Sequence, residues 1–235
     1  MQINATRVND RLAYLTRFGT TPEGGVTRYA LSPAEKDATE TVAGWMAEAG
    51  LEVRRDAVGN LFGRLPGRRP GPAILTGSHL DSVPNGGHYD GPAGVLASLE
   101  AVQSMKEQGL VPEFPIDVAS FVGEEGSRFT HGLMGSSFLT GIFPYDEIDR
   151  LKDRDGVTLA EALRVYGCDP SSAMAAAAQP GTYKAYVELH IEQSGMLEAK
   201  GLPAGIVSGI AGMHQARGVI QPGGREGGPC FTVVR

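Results

Sequence analysis

Residues 73–94 read AILTGSHLDSVPNGGHYDGPAG, and this stretch decides the fold. Ala73 to Thr76 is a short apolar run of the kind that forms a buried strand. The run empties into a polar loop carrying His79, Asp81, His88 and Asp90, and an apolar-periodic helix opens near Gly91. Strand, loop and helix in that order is how α/β domains build sites, because the carboxyl ends of parallel strands open into a crevice. Four acid–base or metal-capable side chains between positions 79 and 90 exceed what a surface loop needs.

Two further segments repeat the pattern. Downstream of a helix marked by Val95, Leu96, Leu99, Val102 and Met105, residues Ile116 to Val122 read as a second buried strand, and it empties into Gly123-Glu124-Glu125-Gly126. Tyr183 to Ile191 reads as a third, delivering Glu188, His190, Glu192 and Gln193. Upstream, Ile3 to Phe18 carries a loose helical stripe. Ser32 as cap, Pro33 at the first helical position and Glu35 three after the cap open a helix to about Ala49, with Gly50 as its stop. Leu51 to Asp56 and Asn60 to Leu65 read as a hairpin. Thr158 and Glu161 form a capping box before a helix that stops at Gly167, and Ala175 to Ala178 is a small low-complexity patch. The sum is an α/β domain with a mixed central sheet and helices on both faces.

Composition narrows the function classes. A chain of 235 residues with 41% hydrophobic content builds a sizeable core. The formal charge of −6 and the lack of a basic patch interleaved with aromatics argue against nucleic acid or an anionic membrane surface as partner. Two cysteines, Cys168 and Cys230, are no disulfide framework and point to a reducing cytoplasm. The start MQINATRVNDRLAYL lacks the pattern of a signal peptide, and no run of apolar residues is long enough to span a bilayer.

The residue types point to metal chemistry. His79 and Asp81 share one side of an extended segment, the arrangement in which a carboxylate orients a metal-bound imidazole. Asp90 has two oxygens with which to bridge two cations about 3.5–4 Å apart. Of the adjacent Glu124 and Glu125, one suits a metal and the other a proton-accepting role, and the residues alone leave open which is which. His190 completes three N/O ligands with His79 and Asp90, the count of an open catalytic site. Each feature also has a plain structural reading: a His-x-Asp is common, and a Glu-Glu pair is usually a solvated face. His131, His214 and His88 lack completing partners, Arg128 suits a pair with a neighbouring acid, and Cys168 has no basic neighbour to activate it. Only the joint occurrence of the three clusters favours the metal.

The segments TGSHLDSVPNGGHYDGPAGVL, GEEGSRF followed by LMGSSFLTG, and VELHIEQSGMLEAKGLPAGIVSGIAG resemble the N-carbamoyl-L-amino acid hydrolase and allantoate amidohydrolase family over roughly residues 5 to 212. The resemblance implies the catalytic domain of a dinuclear metallohydrolase with two divalent ions (Zn, Mn, Co or Ni). It implies His79 and His190 on one metal, Asp90 bridging and Glu125 on the second. Glu124 would be the general base, Asp81 the partner of His79, and Gln193 a substrate contact. The implied reaction is hydrolysis of the carbamoyl C–N bond of a small-molecule N-carbamoyl-L-amino acid by metal-activated water. The implied assembly is a homodimer. Allantoate hydrolysis is the alternative within the family, and a catalytically incompetent fragment the alternative outside it. Family members carry a lid and dimerisation domain and a last metal-binding histidine after the GIAG segment. Here the text after Gly212 turns Gly/Pro/Arg-rich, so residues 1–212 read as the catalytic domain, incomplete, and 213–235 as a truncated or non-native tail at the lid position.

Overall fold

The computed structural model describes residues 1–210, so the expected tail at 213–235, the domain boundary at 212, His214 and Cys230 lie outside the described residues. The chain divides into two compact units, Met1–Ile191 and Glu192–Arg235.

The first unit is built on a five-stranded mixed sheet of order β1-β2-β4-β3-β5. Strands β1 (Glu52–Arg55) and β2 (Leu61–Leu65) form the hairpin foreseen in the sequence. The Asp56 carboxylate closes its turn, accepting the Val58 and Asn60 N–H groups at 3.1 and 2.9 Å. β4 (Ile116–Phe121) runs antiparallel to β2 and parallel to β3 (Ala73–His79). β5 (Tyr183–Val187) pairs parallel with the far edge of β3 as far as Thr76 opposite Val187. It ends four residues earlier than the sequence pattern indicates. His190 therefore stands on the segment that leaves the sheet rather than within the strand.

Strand alternation sorts the core. Leu61, Leu65 and Val118 face a layer made by α1 (Ala5–Leu15), α2 (Pro33–Glu48) and α3 (Pro92–Glu107), where they meet Leu15, Val42, Met46 and Leu99. Complete burial of a side chain such as Leu61 contributes about 1.5–3 kcal/mol. Arg7 pins α1 to α3 through Glu100 at 2.7 Å and Glu107 at 2.6 Å. α2 starts as its sequence dictates, Ser32 Oγ accepting the Glu35 N–H and Pro33 filling the first position.

Phe62, Leu75, Ala119 and Phe121 face the other way and meet Leu139 of α4 (Met134–Thr140). Helices thus lie on both faces. α4 has no place in the sequence reading because its start lacks every local signal. Its N-cap position is Leu133 in the left-handed region at φ 57°, with no side-chain cap. A neighbouring cluster gathers Phe129, Phe138 and Phe143 with Leu163 of α5 (Leu159–Tyr166), which opens on the expected capping box. The low-complexity patch straddles the end of a 3₁₀ segment, Pro170–Ala176, with Ala177 and Ala178 beyond it.

In the second unit, Glu192 Oε1 accepts the N–H groups of Met196 and Leu197, both at 3.0 Å, and opens the short α6 (Met196–Ala199). Among the described residues no helix is long and apolar enough to cross a membrane.

Candidate metal centre

The three parallel strands β3, β4 and β5 present their carboxyl ends on one side, and the segments leaving them build the site. His79 closes β3 and is 2% exposed. Asp90 stands immediately before α3, and His190 three residues past β5. The three each offer a ligand atom, and these atoms lie within 4.8 Å of one another. His190 Nε2 is 3.1 Å from Asp90 Oδ1, and His79 Nε2 is 3.9 Å from the same oxygen.

Both imidazoles are oriented by main chain. His79 Nδ1 lies 3.0 Å from the Asp81 carbonyl and His190 Nδ1 lies 2.8 Å from the Ile191 carbonyl. A carbonyl only accepts, so in each neutral ring Nδ1 carries the proton and Nε2 presents its lone pair. His79 Nε2 is buried and makes no hydrogen bond. A buried ring nitrogen left so, among N, O and N donors within ligand reach, fits a divalent cation. The cluster is a possible metal site.

Asp81 serves two neighbours. Its carboxylate oxygen Oδ1 stands 3.6 Å from His79 Nδ1, at ion-pair distance. The same Oδ1 accepts the Glu124 N–H and Oδ2 the Glu125 N–H, each at 3.1 Å. The carboxylate therefore holds the loop after β4 against the loop after β3, while the Asp81 carbonyl orients the ring. Glu124 Oε2 reaches to 3.5 Å from His79 Nε2. Glu125, although anchored beside it, is not part of the His79–Asp90–His190 cluster. Gln193 belongs to the second unit and has a positive φ of 58°.

The local field is strongly coupled. Burial works against a charged His79, but Asp81 and then Glu124 and Glu125 outweigh it and push the imidazolium up to about 9. Burial pushes the carboxyl groups of Glu124 and Glu125 upward, against the pull of His79, with Asp81 and Asp90 adding to the rise.

Two features of the site carry no motif. Arg28 is buried, and its guanidinium donates to the Leu15 and Phe18 carbonyls at 2.9 Å each and to Leu80 O. The main chains of Arg28 and Ser82 are joined as well, Ser82 N–H donating to Arg28 O at 2.9 Å. The backbone on either side of Asp81 is thereby fixed. Gly91 (φ 82°) and Gly94 are the second feature. A Cβ on Gly91 would sit 2.6 Å from His79 Nδ1, and one on Gly94 would sit 2.5 Å from Leu189 O. Only glycine lets the start of α3 approach both histidine segments.

The remaining candidates have ordinary partners. His88 Nε2 lies 2.9 Å from Gly24 O, and His131 Nδ1 lies 3.3 Å from Glu147 with its ring against Phe143. Arg128 pairs with Asp153 at 3.0 Å, and burial pushes the Cys168 thiol up. A cavity of about 660 Å³ adjoins the cluster, lined by Leu75, Phe121, Leu139 and Tyr186 with Glu124 and His190 at its polar end.

Fold and cluster together define an α/β domain with a possible His/Asp/His metal site at the carboxyl ends of parallel strands. Residues 75–230 match the model of Peptidase family M20/M25/M40, and the chain belongs to that family. An N-carbamoyl-L-amino acid amidohydrolase of Geobacillus stearothermophilus is 50% identical over 212 residues, covering 90% of this chain and 52% of that protein. An allantoate amidohydrolase of Bacillus subtilis is 40% identical over 209 residues, covering 88% and 50%. Among solved structures, a hydantoinase/carbamoylase family amidase from Burkholderia ambifaria superimposes with TM-score 0.77 at 41% identity, over 85% of this chain and 48% of that one. The chain spans about half the length of the relatives it matches.

Proposed function

We propose that this chain serves a metal-dependent amidohydrolase that cleaves the carbamoyl C–N bond of N-carbamoyl-L-amino acids, releasing carbon dioxide and ammonia. The observation that carries the reading is the convergence of His79, Asp90 and His190, with the Glu124 carboxylate 3.5 Å from His79 Nε2. The 50% identity to a carbamoyl-amino-acid amidohydrolase, against 40% to an allantoate amidohydrolase, favours the carbamoyl substrate.

His79 and His190 would hold one divalent ion, Asp90 would share it with a second, and Glu125 would serve that second ion. Imidazole and carboxylate donors suit Zn, Mn, Co or Ni. A bound ion of this kind polarises a carbonyl and brings the pKa of water toward about 7. Glu124 acts as the proton carrier. Its carboxyl is pushed up by burial, which suits a group that takes a proton from water at Oε2 and hands it to the leaving nitrogen. Asp81 keeps Glu124 and Glu125 in place through their N–H groups. A homodimer in the cytoplasm belongs to the same reading.

Ammonia release from N-carbamoyl-L-amino acids and from allantoate, measured with the metal-loaded chain and with Glu124→Gln, tests it. Turnover of the carbamoyl substrate that Glu124→Gln abolishes supports the reading, and preference for allantoate reassigns the substrate. One second reading is a domain that binds metal without turnover, since the cluster holds His79, Asp90 and His190 while Glu125 stands outside it. Bound zinc with no ammonia from either substrate would establish it.

A further inference from the structure

The main-chain pairing of β3 with β5 stops at Thr76 opposite Val187, yet His190 must face His79 and Asp90 three residues beyond. Among the described residues β5 is an edge strand, hydrogen-bonded to the sheet on one side only, and all of it but Tyr183 is exposed. Something else has to hold its end. Past the last paired residues, Ser78 Oγ donates to Glu188 Oε1 at 2.5 Å. Tyr186 donates its hydroxyl to Glu188 Oε2 at 2.6 Å and shares it with Gly77 O at 3.1 Å. Each oxygen of one carboxylate is thus taken by a hydroxyl, and both hydroxyls lead to β3 at the two residues before His79. The Tyr186 ring also stands edge-on to Phe121 of β4, 6.2 Å between centroids. Ser78, Tyr186, Glu188 and His190 line the same cavity.

We infer that Glu188 is a positioning residue of the metal centre, a side-chain clasp that continues the β3–β5 pairing where the backbone ladder ends and so sets His190 against Asp90. The inference rests on the metal reading of the site for its consequence, though the clasp itself does not. Partners one step behind a ligand typically govern metal affinity by about 10–100-fold. A carboxylate accepting two hydroxyl donors is the strong form of such a link.

The test uses the purified 235-residue chain, first freed of metal and then titrated with zinc against a competing chelator. In the metal-free protein, Glu188→Ala is expected to speed amide hydrogen exchange in Tyr183–Val187 while leaving β4 unchanged. Zinc affinity is expected to fall about tenfold or more. Glu188→Gln, which keeps one acceptor oxygen, and Tyr186→Phe, which keeps the Ser78 link, are expected to lose less. In a His190→Ala background, Glu188→Ala is expected to cost nothing further. Unchanged exchange in β5 overturns the clasp. Faster exchange with wild-type zinc affinity, or an equal loss in the His190→Ala background, overturns its action through His190. A wild-type chain that takes up no zinc overturns the metal reading and the assigned consequence, while the exchange data still decide the clasp.

Discussion

The carboxylate of Asp81 accepts the backbone N–H of Glu124 at 3.1 Å, 43 positions further along the chain. With the matching bond to Glu125, one buried acid ties two strand-end loops into a single rigid site. Asp81→Ala leaves two N–H groups without their acceptor, and hydrogen bonds to a charged group are worth about 1.5–3 kcal/mol each. The variant is expected to lose about 10–100-fold in zinc affinity, with faster hydrogen exchange at residues 123–126. Asp81→Asn, which keeps one acceptor, is expected to lose less. Isothermal titration and exchange mass spectrometry check both outcomes.

Metal uptake is expected to release a proton from His79. In the metal-free protein its imidazolium lies at about 9, and only the neutral ring binds a cation. Below pH 9 zinc affinity should therefore fall by about tenfold per pH unit, and calorimetry in buffers of different ionisation enthalpy should count the proton. The same displacement, from 6.5 up to about 9, makes the His79 contribution to metal-free stability complete below pH 6.5 and lost as pH rises through 9. Zinc affinity independent of pH between 6 and 8.5 would contradict this.

Glu35 has the opposite balance. It is 1% exposed, and burial, followed by the charge of Asp81, pushes its carboxyl up to about 7. The native state then binds more protons than the unfolded chain between pH 4.5 and 7, so this group's contribution to stability falls over that range as pH rises. The displacement corresponds to about 3 kcal/mol. Glu35→Gln is expected to match the wild type near pH 4.5 and to be more stable at pH 8, by up to that amount. Urea unfolding at the two pH values measures the difference.

Gly91→Ala is expected to be worse than an ordinary helix-start substitution. It places a Cβ 2.6 Å from His79 Nδ1 on a backbone at φ 82°. Loss of zinc binding together with about 1–3 kcal/mol of stability is the expected outcome, read by titration and denaturant unfolding. Gly94→Ala is expected to displace Leu189 and with it His190, weakening zinc binding in the same assay.

Among the described residues, β5 and the segment after it expose Tyr186 at 46%, Val187 at 60% and Leu189 at 55%. An apolar open edge is a template for pairing with another chain. Sedimentation is expected to show concentration-dependent association, and Val187→Lys, which puts a charge on the edge, is expected to reduce it. A clean monomer at all concentrations would count against this.

What the sequence by itself determined is what lies in local chemistry: the capped starts of α2 and α5, the hairpin around Asp56, and the two strand texts that lead into the His79 and Glu124 loops. It also put the candidate ligands on three separate strand ends. Other features were decided only by the tertiary structure, because they depend on approach between segments distant in the chain. α4 begins at a left-handed Leu133 with no capping side chain, and packing rather than propensity makes it helical. β5 stops at Val187, where pairing with β3 ends, although its apolar text runs on. The roles within Asp81 were likewise set by three-dimensional placement: its carbonyl orients His79, and its carboxylate stands between that ring and the Glu124 loop. A sequence records which groups are available, and only the folded chain sets which of them come within a few ångströms of one another.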